Sequence, residues 1–212
     1  MSSSKINVAK QAIDYIKDKL HPEMILGIGT GSTVNFFIEE LGAYKNLFAG
    51  AVSSSEASSN LLNEKGIEVF NLNDVMDIAY YIDGADEVSP NYELIKGGGG
   101  AHTREKIVAS ASNEFVCIVD ETKLVSQLGA FPLPVEVLPE SRSLVARKIV
   151  SMGGTPIYRN GFITDQGNEI LDVKDLDISN PESIEALLNN IPGVVDNGIF
   201  AFNKPKKVLV SS

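Results

Sequence analysis

The chain has 212 residues, 43% of them hydrophobic, and a formal net charge of −10. That length suits one α/β domain, or a larger domain carrying a small one, with enough apolar residues for a packed core. The acidic balance argues against an extended nucleic-acid or anionic-membrane surface, one cysteine allows no internal disulfide, and two histidines without an HExxH or CxxC pattern disfavour a protein-built transition-metal site.

No apolar run approaches the roughly 20 residues that span a bilayer, and MSSSKINVAK lacks the apolar stretch of a secretion signal, so a soluble, cytoplasmic protein is expected. Ala9, Ile13, Ile16 and Leu20 recur at helical spacing and predict an opening helix. It should end near His21-Pro22, because the residue before proline avoids the helical region. Met24 to Gly29 reads as the first buried strand, running into Thr30, Gly31, Ser32 and Thr33. Val34, Phe37, Ile38 and Leu41 trace the inner face of the next helix, which Gly42 closes. A strand, a glycine turn and a helix in that order offer an anion site, since the amides of a first helical turn have no partner inside the helix. The third glycine of GxGxxG and the Walker lysine are both missing, and the second strand (Phe48 to Val52) ends in Ser53, Ser54 and Ser55 rather than an acid. A phosphate monoester held by amides and by Ser32 and Thr33 therefore fits better than a nucleotide. Taken alone, the loop is equally well explained as a tight turn.

Ser55 to Lys65 predicts a helix ending at Gly66, Ile67 to Phe70 a short strand, and Met76 to Ile82 the buried strand that delivers Asp83. Asp83 to Glu105, DGADEVSPNYELIKGGGGAHTRE, then gathers acids, Lys96 and four consecutive glycines, and is where chemistry is expected. Thr103 is a candidate N-cap for a helix with Ile107, Val108 and Ala111 inward. Glu114 to Val119 is the next strand, delivering Asp120 and Lys123, with Cys117 a buried small hydrophobe inside it. This alternation implies an α/β fold: a Rossmann-like open parallel sheet with helices on both faces and each motif at a strand's carboxyl end.

The texture changes at Pro132, Pro134 and Pro139. Val135 to Leu138 reads as a strand, and Ser141 caps a helix with Val145, Ile149 and Met152 inward that closes at Gly153. Thr155 to Arg159 and Phe162 to Thr164 are extended, and Glu169 to Val173 returns. A helix begins at Asn180-Pro181 with Ile184, Leu187 and Leu188 inward, and Val194 to Phe200 is the last strand of the group. The order βαββαβ is that of a smaller ferredoxin-like α+β domain. The expected division is residues 1–130 and 203–212 for a large catalytic domain, with Lys206 to Val210 returning to its sheet, and 131–202 for the small domain.

GIGTGST at Gly27 to Thr33, YIDGADE at Tyr81 to Glu87, IKGGGGAHTREKIVA at Ile95 to Ala109, DETK at Asp120 to Lys123 and FPLPVEVLP at Phe131 to Pro139 together resemble the type A ribose-5-phosphate isomerases. GNEILD at Gly167 to Asp172 and GVVDNGIF at Gly193 to Phe200 continue the resemblance. It implies interconversion of D-ribose 5-phosphate and D-ribulose 5-phosphate in the non-oxidative branch of the pentose phosphate pathway, with no cofactor and in a homodimer or homotetramer. It implies Glu105 as the base. It also implies that the substrate site is lined by Thr30, Gly31, Ser32, Thr33, Asp83, Gly84, Ala85, Asp86, Lys96, Gly97, Gly98, Gly99 and Lys123. Gly100 and His102 depart from the family's usual alanine and apolar residue, and His102 reads as a surface residue or one behind the site rather than a catalytic one.

Moving a carbonyl from C1 to C2 requires removing the C2 proton, holding an enediolate and returning a proton to C1. Glu105 suits the base, because a first helical turn favours an ionised carboxylate, although an ordinary helix-start acid would look the same. Lys96 and the amides of Gly97 to Gly99 are candidate donors to the developing oxyanion. Asp83 and Asp86 suit hydroxyl binding and proton movement, including ring opening, and which does which is open; as plain residues they also read as turn-stabilising aspartates. Lys123 is expected at the phosphate or its neighbouring hydroxyl, and Glu87, Glu121 and Arg104 at the rim or in structural roles. A related amino-sugar phosphate deaminase and a non-catalytic sugar-phosphate sensor are the alternatives, the sensor being disfavoured by the complete set of acid, lysine and base.

Overall fold

The computed structural model describes residues 2–212, which form two compact units: residues 2–84 with Arg104–Lys123 and Pro205–Ser212, and Ala85–Thr103 with Leu124–Lys204. The first unit holds helices α1 (Ser2–Ile16), α2 (Ser32–Leu41) and α3 (Glu56–Glu64). Its strands are β1 (Ile25–Ile28), β2 (Gly50–Ser53), β3 (Ile78–Asp83), β6 (Ser112–Asp120) and β12 (Lys207–Ser211), which make one parallel sheet in the order β12-β6-β3-β1-β2. Helix α4 (His102–Ser110) precedes β6.

Period-two alternation in the strands sorts the side chains onto two faces. Leu26 and Ile28 of β1 are fully buried in one cluster with Val8, Ala12 and Ile16 of α1 and Val34, Phe37 and Ile38 of α2. Each large apolar side chain buried this way contributes about 1.5–3 kcal/mol relative to exposure. Gly27 turns to the opposite face, where an added Cβ would come within 2.9 Å of Tyr81 on β3 and Val108 on α4. The glycine is what lets that helix lie close to the strand.

In the second unit, β7 (Leu133–Val137), α5 (Arg142–Ser151), β8 (Thr155–Tyr158), β9 (Glu169–Lys174), α6 (Pro181–Asn189) and β10 (Val194–Asn197) follow the expected βαββαβ order and build an antiparallel sheet β10-β7-β9-β8. Val145 and Ile149 of α5 and Leu188 of α6 share a core with Val135, Val137, Leu171 and Val173. A second antiparallel sheet, β11-β5-β4, joins β11 (Ile199–Phe200), β5 (Leu94–Ile95) and β4 (Glu87–Val88). Among the described residues no helix is long and apolar enough to cross a membrane.

Several local expectations change. The second unit is wider than residues 131–202, because β4 and β5 pair with β11 and the buried Glu87 accepts from the amides of Gly129 (2.7 Å) and Phe131. Val194 to Phe200 is two strands in two sheets, broken at Gly198. Ile67 to Phe70 makes a single bridge, Ala51 to Val69, before Asn71 caps a short turn that leads the chain away. Gly42 takes a right-handed conformation (φ −54°) and the chain continues into a 3-10 turn rather than stopping at a left-handed cap. The Ser141 hydroxyl is directed to the carbonyls of Leu138 and Gly193 instead of capping α5. Strand β3 starts at Ile78, leaving Met76 in solvent. Leu187, Ile107 and Ala111 also face outward, whereas Glu185 of α6 is buried and accepts from the amides of Ala201 and Phe202.

Candidate active site

The expected site residues divide between the two units. Thr30 to Thr33, Asp83, Gly84, Glu105 and Lys123 belong to the first, and Ala85, Asp86, Lys96 and Gly97 to Gly99 to the second.

In the first unit Asp83, the last residue of β3, is fully buried and its carboxylate is tied down on both oxygens. Oδ1 accepts from the amides of Thr30 (3.1 Å) and Gly84 (2.7 Å), and Oδ2 accepts from the Tyr81 hydroxyl. Gly29 makes room for this: an added Cβ would lie 1.9 Å from the Asp83 carboxyl carbon. Thr30 is braced in turn by Ser54, with their hydroxyls 2.9 Å apart, and Ser58 donates to the Gly29 carbonyl at 2.7 Å. Burial, followed by the negative charges of Asp83 and Glu105, holds the Tyr81 phenol well above its ordinary pKa. Glu105 itself is only 4% exposed on α4, so two buried carboxylates bear on one protonated phenol.

The loop after β1 enters α2 through Gly31 at φ +122°, a left-handed value that favours glycine. Ser32 opens the helix and accepts a hydrogen bond from the Lys5 ammonium at 2.7 Å. Lys123 follows β6 in a short helical turn beside the buried Asp120. Burial pushes the Asp120 carboxyl up, but hydrogen bonds from the Thr122 hydroxyl and amide and the positive charges of Lys123 and Lys5 outweigh it and hold the group below its ordinary value. Ser32, Lys5 and Lys123 thus supply positive charge and hydroxyl donors of the kind an anionic group requires.

In the second unit Lys96 follows β5, is 3% exposed, and has its Nζ 5.5 Å from the centre of the Phe200 ring. Its amide donates to the Gly198 carbonyl at 2.9 Å, and the Gly198 amide donates to Pro134 at 2.8 Å. A Cβ at Gly198 would sit 2.3 Å from the Lys96 carbonyl oxygen. The glycine run then turns tightly, the Gly100 amide donating to Gly97 at 2.9 Å, with φ of +97° at Gly97 and +82° at Gly100. Asp86 is positioned by its own amide, which donates to Ile95 at 2.8 Å, and its carboxylate accepts from the Gly98 amide at 2.8 Å. Of the three glycine amides expected as donors, the middle one is therefore already given to Asp86.

At the start of α4 one expectation is narrowed and another changes. His102 is fully buried, which excludes its surface reading and leaves the one behind the site, because the turn at Gly97 folds over it; a Cβ there would lie 2.7 Å from its Nδ1, and its Nε2 is 3.2 Å from the Asp196 carbonyl. Thr103 lies within the helix rather than capping it, and its hydroxyl donates to Glu136. Glu136 is fully buried and also accepts from Thr164 and Asn168, each at 2.8 Å. Glu87 is structural, as expected, and Arg104 pairs with Glu56 at 2.8 Å.

Reading the sequence missed Tyr81, Ser54, Lys5, Gly198 and Arg159. Tyr81 carried a usable signal: two positions before Asp83 in a strand, it shares the aspartate's face. The others act across long sequence separations and had none.

Residues 50–212 match the family model described as ribose 5-phosphate isomerase A (phosphoriboisomerase A). The chain is 57% identical over 212 residues to the ribose-5-phosphate isomerase A of Legionella pneumophila (strain Lens), covering 100% of this chain and 96% of that one. It is similar to the crystal structure of ribose 5 phosphate isomerase A from Neisseria gonorrhoeae, with a TM-score of 0.92, 48% identity, and coverage of 99% and 94%. A D-ribose-5-phosphate isomerase in complex with phospho-erythronic acid superposes with a TM-score of 0.89 at 36% identity, covering 98% of this chain and 93% of that one.

Proposed function

The chain belongs to the ribose 5-phosphate isomerase A family and is an aldose–ketose isomerase; on that premise we propose how its own residues interconvert D-ribose 5-phosphate and D-ribulose 5-phosphate. Glu105 takes the proton from C2 of the open-chain aldose and returns it to C1, so the carbonyl migrates through an enediolate and no electrons leave the sugar. Lys96, with the amides of Gly97 and Gly99, carries the negative charge that develops on oxygen. Asp83 and Asp86 bind the sugar hydroxyls and move their protons during ring opening and between O1 and O2, with Gly84 and Ala85 supplying backbone beside them. Thr30, Gly31, Ser32, Thr33 and Lys123 hold the phosphate, and Lys5 joins them through its bond to Ser32.

The observation that carries this reading is burial: Glu105 is 4% exposed and Asp83 fully buried, in the same unit as the Tyr81 phenol that donates to Asp83. Two water-poor carboxylates beside a proton donor that stays protonated form a setting in which a base can exchange protons with carbon. Glu105→Gln, assayed for ketose formation from ribose 5-phosphate and for solvent deuterium entering the product, should lower kcat by about 10²- to 10⁴-fold with the fold intact. Near-normal turnover would remove Glu105 from the mechanism. We also infer self-association into a homodimer or homotetramer through the second unit. Exposed apolar side chains concentrate there, including Leu144, Val150, Ile157 and Phe202, and β8 is an edge strand of its sheet.

A further inference from the structure

The glycine turn is gripped by an arginine that the proposed mechanism does not use. Ile157 of β8 pairs with Asp172 of β9, so Arg159, two residues on, stands on the same face of the sheet as Asp172 and diagonal to it. Arg159 makes a two-pronged pair with that aspartate, Nε to Oδ2 at 2.8 Å and Nη2 to Oδ1. The remaining N–H groups reach the glycine turn: Nη1 donates to the Gly98 carbonyl at 3.2 Å, and Nη1 and Nη2 each lie 3.4 Å from the Gly97 carbonyl. Phe162 supports the guanidinium, with its ring centre 5.3 Å away, and occupies the space a side chain at Gly100 would need, 2.2 Å from an added Cβ.

We propose that Arg159 is a positioning residue for the isomerisation: by holding the Gly97 and Gly98 carbonyls it aims the Gly99 amide as a donor to the enediolate oxygen. A trans peptide places its C=O and N–H on opposite sides, and the described residues contain no cis bond. The first peptide of the pair shows the consequence, since its carbonyl faces Arg159 while its N–H, that of Gly98, faces Asp86. With the Gly98 carbonyl held by the same arginine, the Gly99 N–H must also point away from Arg159. An added Cβ at Gly99 meets nothing within 4 Å, so a substrate oxygen can approach that residue closely. The positive charge behind the carbonyl polarises the peptide and strengthens the N–H as a donor.

The inference rests on the isomerase reading, and wild type is assayed alongside so that the two can fail separately. Arg159→Met keeps the stem and removes the fork; Asp172→Asn keeps the arginine but loosens its seat. Each is measured for kcat and KM with ribose 5-phosphate and for Kd with phospho-erythronic acid, whose carboxylate puts charge where the enediolate develops it, and with inorganic phosphate. Arg159→Met should lose about 10- to 100-fold in kcat with KM within about threefold, weaken phospho-erythronic acid by a similar factor and leave inorganic phosphate unchanged. Asp172→Asn should show the same pattern to a smaller degree, and it decides alone if Arg159→Met does not fold. Wild-type-like kcat in a folded variant, or equal weakening of inorganic phosphate, overturns the positioning role. A wild type that forms no ketose overturns the isomerase reading, and the clamp's role with it.

Discussion

Replacing Tyr81 by Phe removes one hydroxyl from the buried network, and the bond to the charged Asp83 sets the scale of the loss. The ring is fully buried and its centre lies 5.0 Å from that of Phe115, so Phe preserves the packing and loses only the hydroxyl that Asp83 and Ser54 share. A hydrogen bond to a charged group is worth about 1.5–3 kcal/mol. In a chain of this size each kcal/mol moves Tm by about 2–4 °C, so Tyr81→Phe should melt about 3–12 °C below wild type near neutral pH. The same substitution changes the alkaline limb. Burial, then the charges of Asp83 and Glu105, raise the phenol's pKa in the folded protein above the unfolded value near 10. The folded state therefore keeps a proton that the unfolded chain releases, and Tyr81's contribution is full below about pH 10 and is lost as pH climbs beyond it. Tyr15, pushed up to about 12 chiefly by its bond to Glu114, titrates in both proteins and cancels in the comparison. Thermal unfolding followed by near-UV circular dichroism, from about pH 7 to about pH 11, reads both effects. Melting within about 1 °C of wild type at neutral pH, together with parallel alkaline slopes, would refute the reasoning.

Lys123→Ala should raise KM for ribose 5-phosphate more than it lowers kcat, because Lys123 and Lys5 both bear on Asp120 and Lys5 donates to Ser32 of the proposed phosphate loop; the opposite split would put it at the reacting carbons. Sedimentation velocity over a dilution series should return the mass of two or four chains. A single chain throughout would dismiss the self-association inferred from the second unit's apolar surface.

Where periodicity and punctuation agreed, the sequence was legible. Val34, Phe37, Ile38 and Leu41 are all fully buried, and Ser55 caps α3 through the Ser58 amide. The βαββαβ order was readable because each element is bounded by its own turn residues. Legibility failed where a polar group replaced an apolar one inside: Glu185 took the inward place given to Leu187, and Thr103 turned to Glu136 rather than to its own helix end. Strands of two residues, such as β4 and β5, fall below any alternation signal. For the candidate site, residue types and loop positions could be read, but not the supporting bonds. Arg159 and Gly98 are 61 positions apart, and nothing local in either announces the other.

Gly198 ties the seating of Lys96 to a residue synthesised well after it. Lys96 takes its backbone partner from a residue that leaves the ribosome long after it, and any side chain at that later position would push the lysine's carbonyl aside. Until residue 198 emerges, the nascent chain can form helices and hydrophobic clusters, yet Lys96 lacks the backbone acceptor it has in the folded protein. Truncation or a bulky replacement near residue 198 would thus disarm a lysine encoded far upstream, without touching it in the gene.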